Sequence, residues 1–595
     1  MAHVTIDQFQ VENTSLSSRA GITYLGKYRS SNPLWARAKR NLSKEVLRPA
    51  VDRGLERRLT RFYTELDYGR DNRSVTDSEW VEKGIARFGC PIHAASNGKS
   101  TDYTIPGFGI CCCRRGQRPD SRVHSPLRRD VGSAFEKYTA GRKLEGPHTS
   151  GSYGFGYDAG DKGELLPDRG GDGLPQGGIG PFETVAYRSA VSAALRIAGG
   201  STGGRKPYSL ARVVETEIHK SHYAGAPFFC TNDLVLDRAT GMAEEFWRGG
   251  GRLHPYTSGS RVQRGASSPK TRLVWMASLV TTLVGACFSK PVFKALERKR
   301  PFSFSLRGVE KAALVEEFKS RFKLVYSLDV SGFDASMPAR IIDDAFGIAR
   351  THLDLTEVDE LVWDRFKSDF IHSRLITPTG DVFQVHKGIP SGNPFTTIIG
   401  SLCNLICVNY ILIRTMGRTI DKDRIQIQGD DSVFGLNTYV PIADMSAAAA
   451  ELGLSLSVSK SRVTGSTGER DLPVHYLGYT WQHGRPHRDV HEVVSSLVLP
   501  ERHAKRSDQL SLLRLLSSVQ NSIENYEVFR WVYSNPAVVQ AFFECSDDMR
   551  GLDVVDLAVS ELSGNLRYLI AVEGLTELLP SPGKVLSVMA HGPWA

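Results

Sequence analysis

Paired cysteines are what this sequence most visibly lacks. Its cysteines, Cys90, Cys111, Cys112, Cys113, Cys230, Cys287, Cys403, Cys407 and Cys545, are odd in number, and none stands at the C-x-x-C spacing of a zinc ribbon or dithiol site. The chain is expected to carry reduced thiols. The opening MAHVTIDQFQVENTSLSSRA lacks the basic start and apolar core of a secretion signal, which predicts an intracellular, reducing setting. No repeat period is visible over about 186–320. A clean apolar run is missing too. The most membrane-like stretch, Phe395 to Ile413, is interrupted by Thr396, Thr397, Ser401, Asn404 and Asn409, and reads as a buried helix rather than a membrane span.

What is present is the composition of a large globular protein. At 595 residues, with 41% hydrophobic and 23% charged residues, the chain is too long for one compact domain and too apolar for disorder. Lys and Arg number 74 against 65 Asp and Glu, a net charge of +9 that favours a polyanionic partner without naming it. Residues 31–62 hold nine Lys and Arg among spaced leucines, a basic amphipathic helix that reads either as a solvated surface or as an arm facing RNA or a partner. From 105 to 185 the chain is rich in Gly, Pro, Ser and Arg and reads as loops. Gly154, Gly156 and Gly160 miss the G-x-G-x-x-G spacing of a dinucleotide turn. Helical runs such as ETVAYRSAVSAALRIAG and VEKAALVEEFKSRF fill 186–320, strands and helices mix over 321–490, and 501–580 is mostly helical by pattern. An α+β middle and an α-rich C-terminal unit follow.

The acidic residues fall at telling places. Leu324 to Leu328 reads as a buried strand that ends on Asp329, with Asp334 shortly after it. Far along the chain, apolar-alternating runs flank Gly429-Asp430-Asp431, which predicts a β-hairpin with an acidic tip. Neighbouring carboxylates disfavour joint ionisation unless a cation lies between them. Hard oxygen ligands suit Mg²⁺ or Mn²⁺, and two ions held between Asp329 and Asp430 would serve phosphoryl or nucleotidyl transfer. A solvent-exposed Asp-Asp turn without metal is the competing reading. Between the acids lies a Gly/Pro loop, Gly388 to Thr397, that leads into the long apolar helix. Thr396 and Asn404, eight apart, are expected to point together into a cleft. His483, His487 and His491 recur every fourth residue, but Pro486 interrupts a helix that would align them as ligands.

Taken in order, Asp329-x4-Asp334, Ser391-Gly392-x3-Thr396 and Gly429-Asp430-Asp431 resemble motifs A, B and C of the viral RNA-dependent RNA polymerases. Arg264 with Ser268-Pro269-Lys270-Thr271-Arg272-Leu273-Val274-Trp275 resembles the basic finger motif F, Lys460 the motif D lysine, and His475-Tyr476-Leu477-Gly478-Tyr479 the motif E turn. The GNPFT and KTRLVW wording leans toward polymerases of small double-stranded RNA viruses such as picobirnaviruses and partitiviruses.

The resemblance, carried by about residues 260 to 480, implies an α+β right-hand fold: N-terminal extension and fingers over 1–320, a palm with an antiparallel sheet over 321–490 with a fingers insertion at about 346–386, and an α-rich thumb and tail over 491–595. It implies that Asp329 and Asp430 hold two Mg²⁺ or Mn²⁺ ions, with Asp431 a secondary ligand. Arg264, Lys270 and Arg272 would grip the triphosphate, and Lys460 would protonate pyrophosphate unless it is simply solvated. Asp334 and Ser391, with Gly392 and Thr396 in the same loop, would face the ribose of the incoming nucleotide. Many family members carry Asn four residues after the motif B Thr; here that position is Gly400 and Asn404 follows one turn later, which leaves sugar selection through Asn404 open. RNA template, nascent RNA and NTPs are the implied partners, a viral capsid protein a further one, and the virion or host cytoplasm the implied address. A reverse transcriptase and a catalytically inert RNA-binding protein are the alternatives.

Overall fold

The computed structural model describes residues 22–27, residues 180–488 with short gaps at 201–202, 221, 265–268, 298, 307, 377–380 and 466–472, and residues 521–526. The basic pattern at 31–62, nearly all of the Gly/Pro-rich 105–185 segment, His491, most of the α-rich C-terminal unit and the tail lie outside the described residues.

The described strands are β1 (Ile22–Lys27), β2 (Tyr256–Arg264), β3 (Pro269–Met276), β4 (Leu324–Leu328), β5 (Arg374–Ile376), β6 (Asp381–Val385), β7 (Ile425–Gln428), β8 (Asp431–Leu436), β9 (Arg462–Gly465), β10 (Val474–Tyr476), β11 (Tyr479–Gln482) and β12 (Arg485–His487). They form three sheets, ordered β7-β8-β4-β9, β10-β11-β12 and β1-β6-β5-β2-β3. The first two are antiparallel throughout, and the third contains one parallel pair, β2 with β5. The expected α+β character is what the described residues show.

The four-stranded sheet is the centre of the molecule because its strands are apolar on both faces. Along β4, Tyr326 and Leu328 face one cluster while Val325 faces another, and on β8 Phe434 and Leu436 alternate with Val433 in the same way. The larger cluster is filled by the helix Thr396–Met416, against which the helices Val185–Ala198 and Ala339–Arg350 pack. Fifteen consecutive residues of Thr396–Met416, Ile398 to Leu412, are buried. Each fully buried Leu or Ile among them contributes about 1.5–3 kcal/mol relative to exposure. By length and composition this helix could cross a membrane, as could Leu279–Leu296, but 83% and 72% of their most apolar windows are buried inside the fold.

The smaller cluster closes the other face with Ala312, Val315 and Phe318 of the helix Gly308–Arg321 and with Val474, Tyr476 and Trp481 of the three-stranded meander. Phe322 fits because residue 435 is glycine: a Cβ there would lie 1.9 Å from the ring. The segment 301–303 extends the sheet beyond β7, with the Ile427 N–H donating to the Pro301 carbonyl and the Ser303 N–H to the Ile427 carbonyl.

The third sheet gathers distant parts of the chain. β2 and β3 form a long hairpin whose register runs from Thr257↔Met276 to Arg264↔Pro269. β5 and β6, from residues 374–385, join it to β1 near the N-terminus. The four described cysteines, Cys230, Cys287, Cys403 and Cys407, carry no disulfide, and burial pushes the thiols of Cys287 and Cys407 up to about 12.

Candidate active site

The acidic residues are brought together by strand register. β7 and β8 are joined by the two-residue turn Gly429-Asp430, with Gln428 paired to Asp431. Gly429 has φ +63°, a conformation open to glycine at little cost. Antiparallel pairing of β8 with β4 sets Leu328 opposite Ser432, so Asp329, the next residue after β4, leaves the sheet at the end where Asp430 and Asp431 form the hairpin tip. Asp430 is exposed, Asp431 and Asp329 partly so.

The Asp329 backbone is pinned from its other side. Its N–H donates to Ser461 Oγ at 3.1 Å, and its carbonyl accepts from the Ser457 N–H at 2.7 Å. The same turn brings Lys460 Nζ to 3.9 Å from the Asp329 carboxylate, both side chains about half exposed. An exposed pair of this kind is worth about 0–1 kcal/mol, so it marks local attraction for a cation more than stability. After Asp329, Gly332 takes a left-handed φ of +61° and opens the short helix Phe333–Ser336, which carries the exposed Asp334. That helix is stitched to the Gly/Pro loop: the Ile389 N–H donates to the Asp334 carbonyl and the Gly388 N–H to the Met337 carbonyl.

The loop itself is bolted to the base of the β2–β3 hairpin. Ser391 Oγ accepts the Trp275 N–H at 3.1 Å, and Asn393 Nδ2 donates to Tyr256 Oη at 2.7 Å. Gly392 sits so close that a Cβ would lie 1.8 Å from the Trp275 carbonyl oxygen. Burial pushes the Tyr256 phenol well above its ordinary value, so it stays neutral. Farther out, the hairpin register sets Arg264 opposite Pro269, Lys270 opposite Gln263 and Arg272 opposite Arg261, so the three cations expected to grip phosphate lie on a paired β-hairpin.

Thr396 and Asn404 do not point together into a cleft. Two helical turns take about 7.2 residues, so positions eight apart are rotated by about 80°. The Thr396 hydroxyl instead closes the loop on itself, 2.6 Å from the Pro390 carbonyl and 2.8 Å from that of Asn393. Asn404, buried, donates through Nδ2 to the carbonyls of Gly429 and Asp430 at 3.0 and 2.9 Å. Ser401, which sequence reasoning did not assign, accepts the Gly429 N–H at 2.8 Å. Its signal was available: it is a polar residue about one turn before Asn404 in the apolar middle of the helix. Trp275, Tyr256 and Ser461 were also missed, and no local pattern could have found them.

The supports of the hairpin extend to the motif E region. Leu477 and Gly478 form the tight turn between β10 and β11, both with positive φ. Buried Tyr476 and Ser303 hydroxyls lie 2.8 Å apart, and Ser303 Oγ donates to Gln426 Oε1 on β7 at 3.0 Å. His483 and His487 form no ligand set: His487 Nδ1 pairs with Glu524 at 3.0 Å.

By donor type the residues at the acidic tip suit divalent ions, although among the described residues no three His, Cys, Asp or Glu side chains are gathered into a ready ligand set. Asp329, Asp430 and Asp431 offer hard carboxylate oxygens, Gln428 Oε1 is a buried acceptor with no donor, and Lys460 already brings one cation to the spot.

The chain is similar to known proteins of one family. The family described as viral RNA-dependent RNA polymerase matches residues 235–534, half of the chain. The RNA-directed RNA polymerase of Cryptosporidium parvum virus 1 (strain KSU-1) is 24% identical over 343 residues, covering 52% of this chain and 64% of that protein. That of Atkinsonella hypoxylon virus is 33% identical over 143 residues, 22% of this chain and 21% of the other. The chain thus spans less than two thirds of the length of these relatives. Among solved structures, the RNA-dependent RNA polymerase of a human picobirnavirus aligns with a TM-score of 0.49 at 15% identity, over 67% of this chain and 78% of that one. With paired carboxylates at the tip of a β-hairpin, a Gly/Pro loop beside them and a family match across both, the chain belongs to the viral RNA-dependent RNA polymerases.

Proposed function

We propose that the protein is a template-directed RNA polymerase that joins NTPs by two-metal nucleotidyl transfer, for replication and transcription of a double-stranded RNA virus genome. The observation that carries this reading is the β4–β8 register, which delivers Asp329 and the Asp430-Asp431 tip to one end of one sheet. Asp329 and Asp430 would hold two Mg²⁺ or Mn²⁺ ions, with Asp431 assisting. Such ions supply charge neutralisation on the triphosphate and a lowered pKa for the attacking hydroxyl. The protein's own groups do the rest. Arg264, Lys270 and Arg272 bind the triphosphate from the β2–β3 hairpin, and the bolted Ser391–Asn393 loop fixes the hairpin base against the acidic sheet. Asp334 faces the ribose, and Lys460 is the proton donor to the departing pyrophosphate.

The domain reading follows the same lines, with fingers over 1–320, a palm over 321–490 with an insertion at about 346–386, and a thumb and tail over 491–595. RNA template and nascent strand are the macromolecular partners. A capsid protein as partner, and the virion or host cytoplasm as address, follow from the resemblance to double-stranded RNA virus polymerases alone.

The test is incorporation of labelled NTPs on single-stranded RNA with Mg²⁺ or Mn²⁺, beside Asp430→Ala and a dNTP control. Metal-dependent, NTP-selective product that vanishes in the variant is expected. Equal use of dNTPs would point to reverse transcription, and RNA binding without synthesis to an inert binder; either result overturns the proposal.

A further inference from the structure

The acidic turn is a two-residue loop that begins with the most permissive residue, and its place is not fixed by the hairpin alone. One helix supplies what is missing. Asn404, 3% exposed, gives its side-chain amide to both carbonyls of the turn, and Ser401, fully buried one turn earlier, takes the Gly429 N–H while its own hydroxyl donates to the Thr397 carbonyl at 2.7 Å. Three backbone polar groups of the turn are therefore held by two side chains of Thr396–Met416, within its run of fifteen consecutive buried residues. Gly400 immediately precedes Ser401, and a Cβ there would stand 3.7 Å from Gly429 Cα, so helix and turn pack closely.

We propose that Asn404, with Ser401, is a positioning residue that sets where the Asp430 carboxylate stands relative to Asp329, acting on the reaction through the turn backbone and not through the ribose. This rests on the polymerase reading. With both N–H groups of the side-chain amide given to backbone carbonyls, Asn404 could meet a sugar hydroxyl only through Oδ1. Loss of the amide would leave two carbonyls beside the acidic tip without their donor and free the turn to shift. Displacement of a catalytic group by even one ångström lowers a rate sharply.

Four proteins decide it: wild type, Asn404→Ala, Asn404→Asp, which keeps the shape but removes the donor, and Ser401→Ala. The readouts are kcat and KM for NTP, NTP/dNTP discrimination, Mn²⁺ binding by electron paramagnetic resonance without nucleotide, and thermal melting. The expected result is a kcat lowered on the order of 10²-fold for both Asn404 variants with KM and discrimination unchanged. Mn²⁺ affinity should fall by about tenfold or more, as for partners that orient metal ligands. Ser401→Ala should move the same readouts less. A raised KM or lost discrimination with wild-type Mn²⁺ binding would overturn the proposal and make Asn404 a sugar reader. Should the Asn404 variants fail to fold, Ser401→Ala carries the decision alone. The Mn²⁺ measurement needs no turnover, so a wild type that makes no RNA would overturn the polymerase reading while the positioning role is still judged by metal binding.

Discussion

The two sheets that flank the site are built on different principles. In the four-stranded sheet, β7 and β8 are neighbours in sequence, every pair is antiparallel, and clusters lie on both faces, so register brings the carboxylates to one end. A one-residue slip would exchange its two clusters, which makes the register costly to change. The five-stranded sheet joins parts of residues 22–27, 256–276 and 374–385 through one parallel and three antiparallel pairs, and its hairpin holds the basic residues in its paired strands. Anionic groups thus sit at the end of the four-stranded sheet and cationic ones on the β2–β3 hairpin of the other. The loop from Gly388 to Phe395 ties the two together through Trp275 and Tyr256.

The comparison can be broken first at the acidic end. Asp329→Asn or Asp430→Asn should lower RNA synthesis on the order of 10³-fold while melting stays near wild type, because neither carboxylate is buried. A large drop in melting temperature would mean the pair is structural. The tie between the sheets is next. Gly392→Ala places a methyl group within 1.8 Å of the Trp275 carbonyl, so the loop must move, and a loss of about 10²-fold in rate is expected in steady-state kinetics. Tyr256→Phe is milder. It strips one partner from the buried Asn393 amide and should cost about 1–3 kcal/mol in denaturant unfolding.

The smallest effect lies at the edge of the meander. Burial alone would raise the Glu524 carboxyl, but hydrogen bonds from His487 and the Arg488 N–H hold it below its ordinary value of 4.5. A depressed carboxyl stabilises fully above its unfolded value and loses that contribution as pH falls through the folded one. Glu524→Gln should therefore flatten the pH dependence of stability below about pH 4.5 and slightly lower stability at neutral pH, where the contribution is fully present.

Much of the acidic sheet was legible in the sequence because its signals are local. An apolar run marked β4, and alternating runs on either side of Gly-Asp-Asp marked the β7–β8 hairpin, whose turn is one residue shorter than that tripeptide. The helix through Asn404 was legible from its apolar length. What the side chains of Thr396 and Asn404 bond to was not, because an eight-residue spacing falls short of a shared face and both groups meet backbone carbonyls that a sequence does not display. The second sheet was harder. β5 has three residues, β1 comes from the far N-terminal side, and the Trp275–Ser391 contact joins positions 116 apart, so no window of sequence contains any of these pairings. Motif F was legible as a run of cations, yet its paired-strand form depends on a partner strand whose alternation is masked by Ser, Gly and Arg.

The account stands on Asp329 and Asp430 acting on the same ions. The most direct measurement is a double-mutant cycle on Mn²⁺ affinity, read by electron paramagnetic resonance for wild type, Asp329→Asn, Asp430→Asn and the double variant. If the strand register brings the two carboxylates to one metal centre, each single change weakens binding and the double change adds little more. Losses that simply add, or a single variant that binds Mn²⁺ as wild type does, would contradict it.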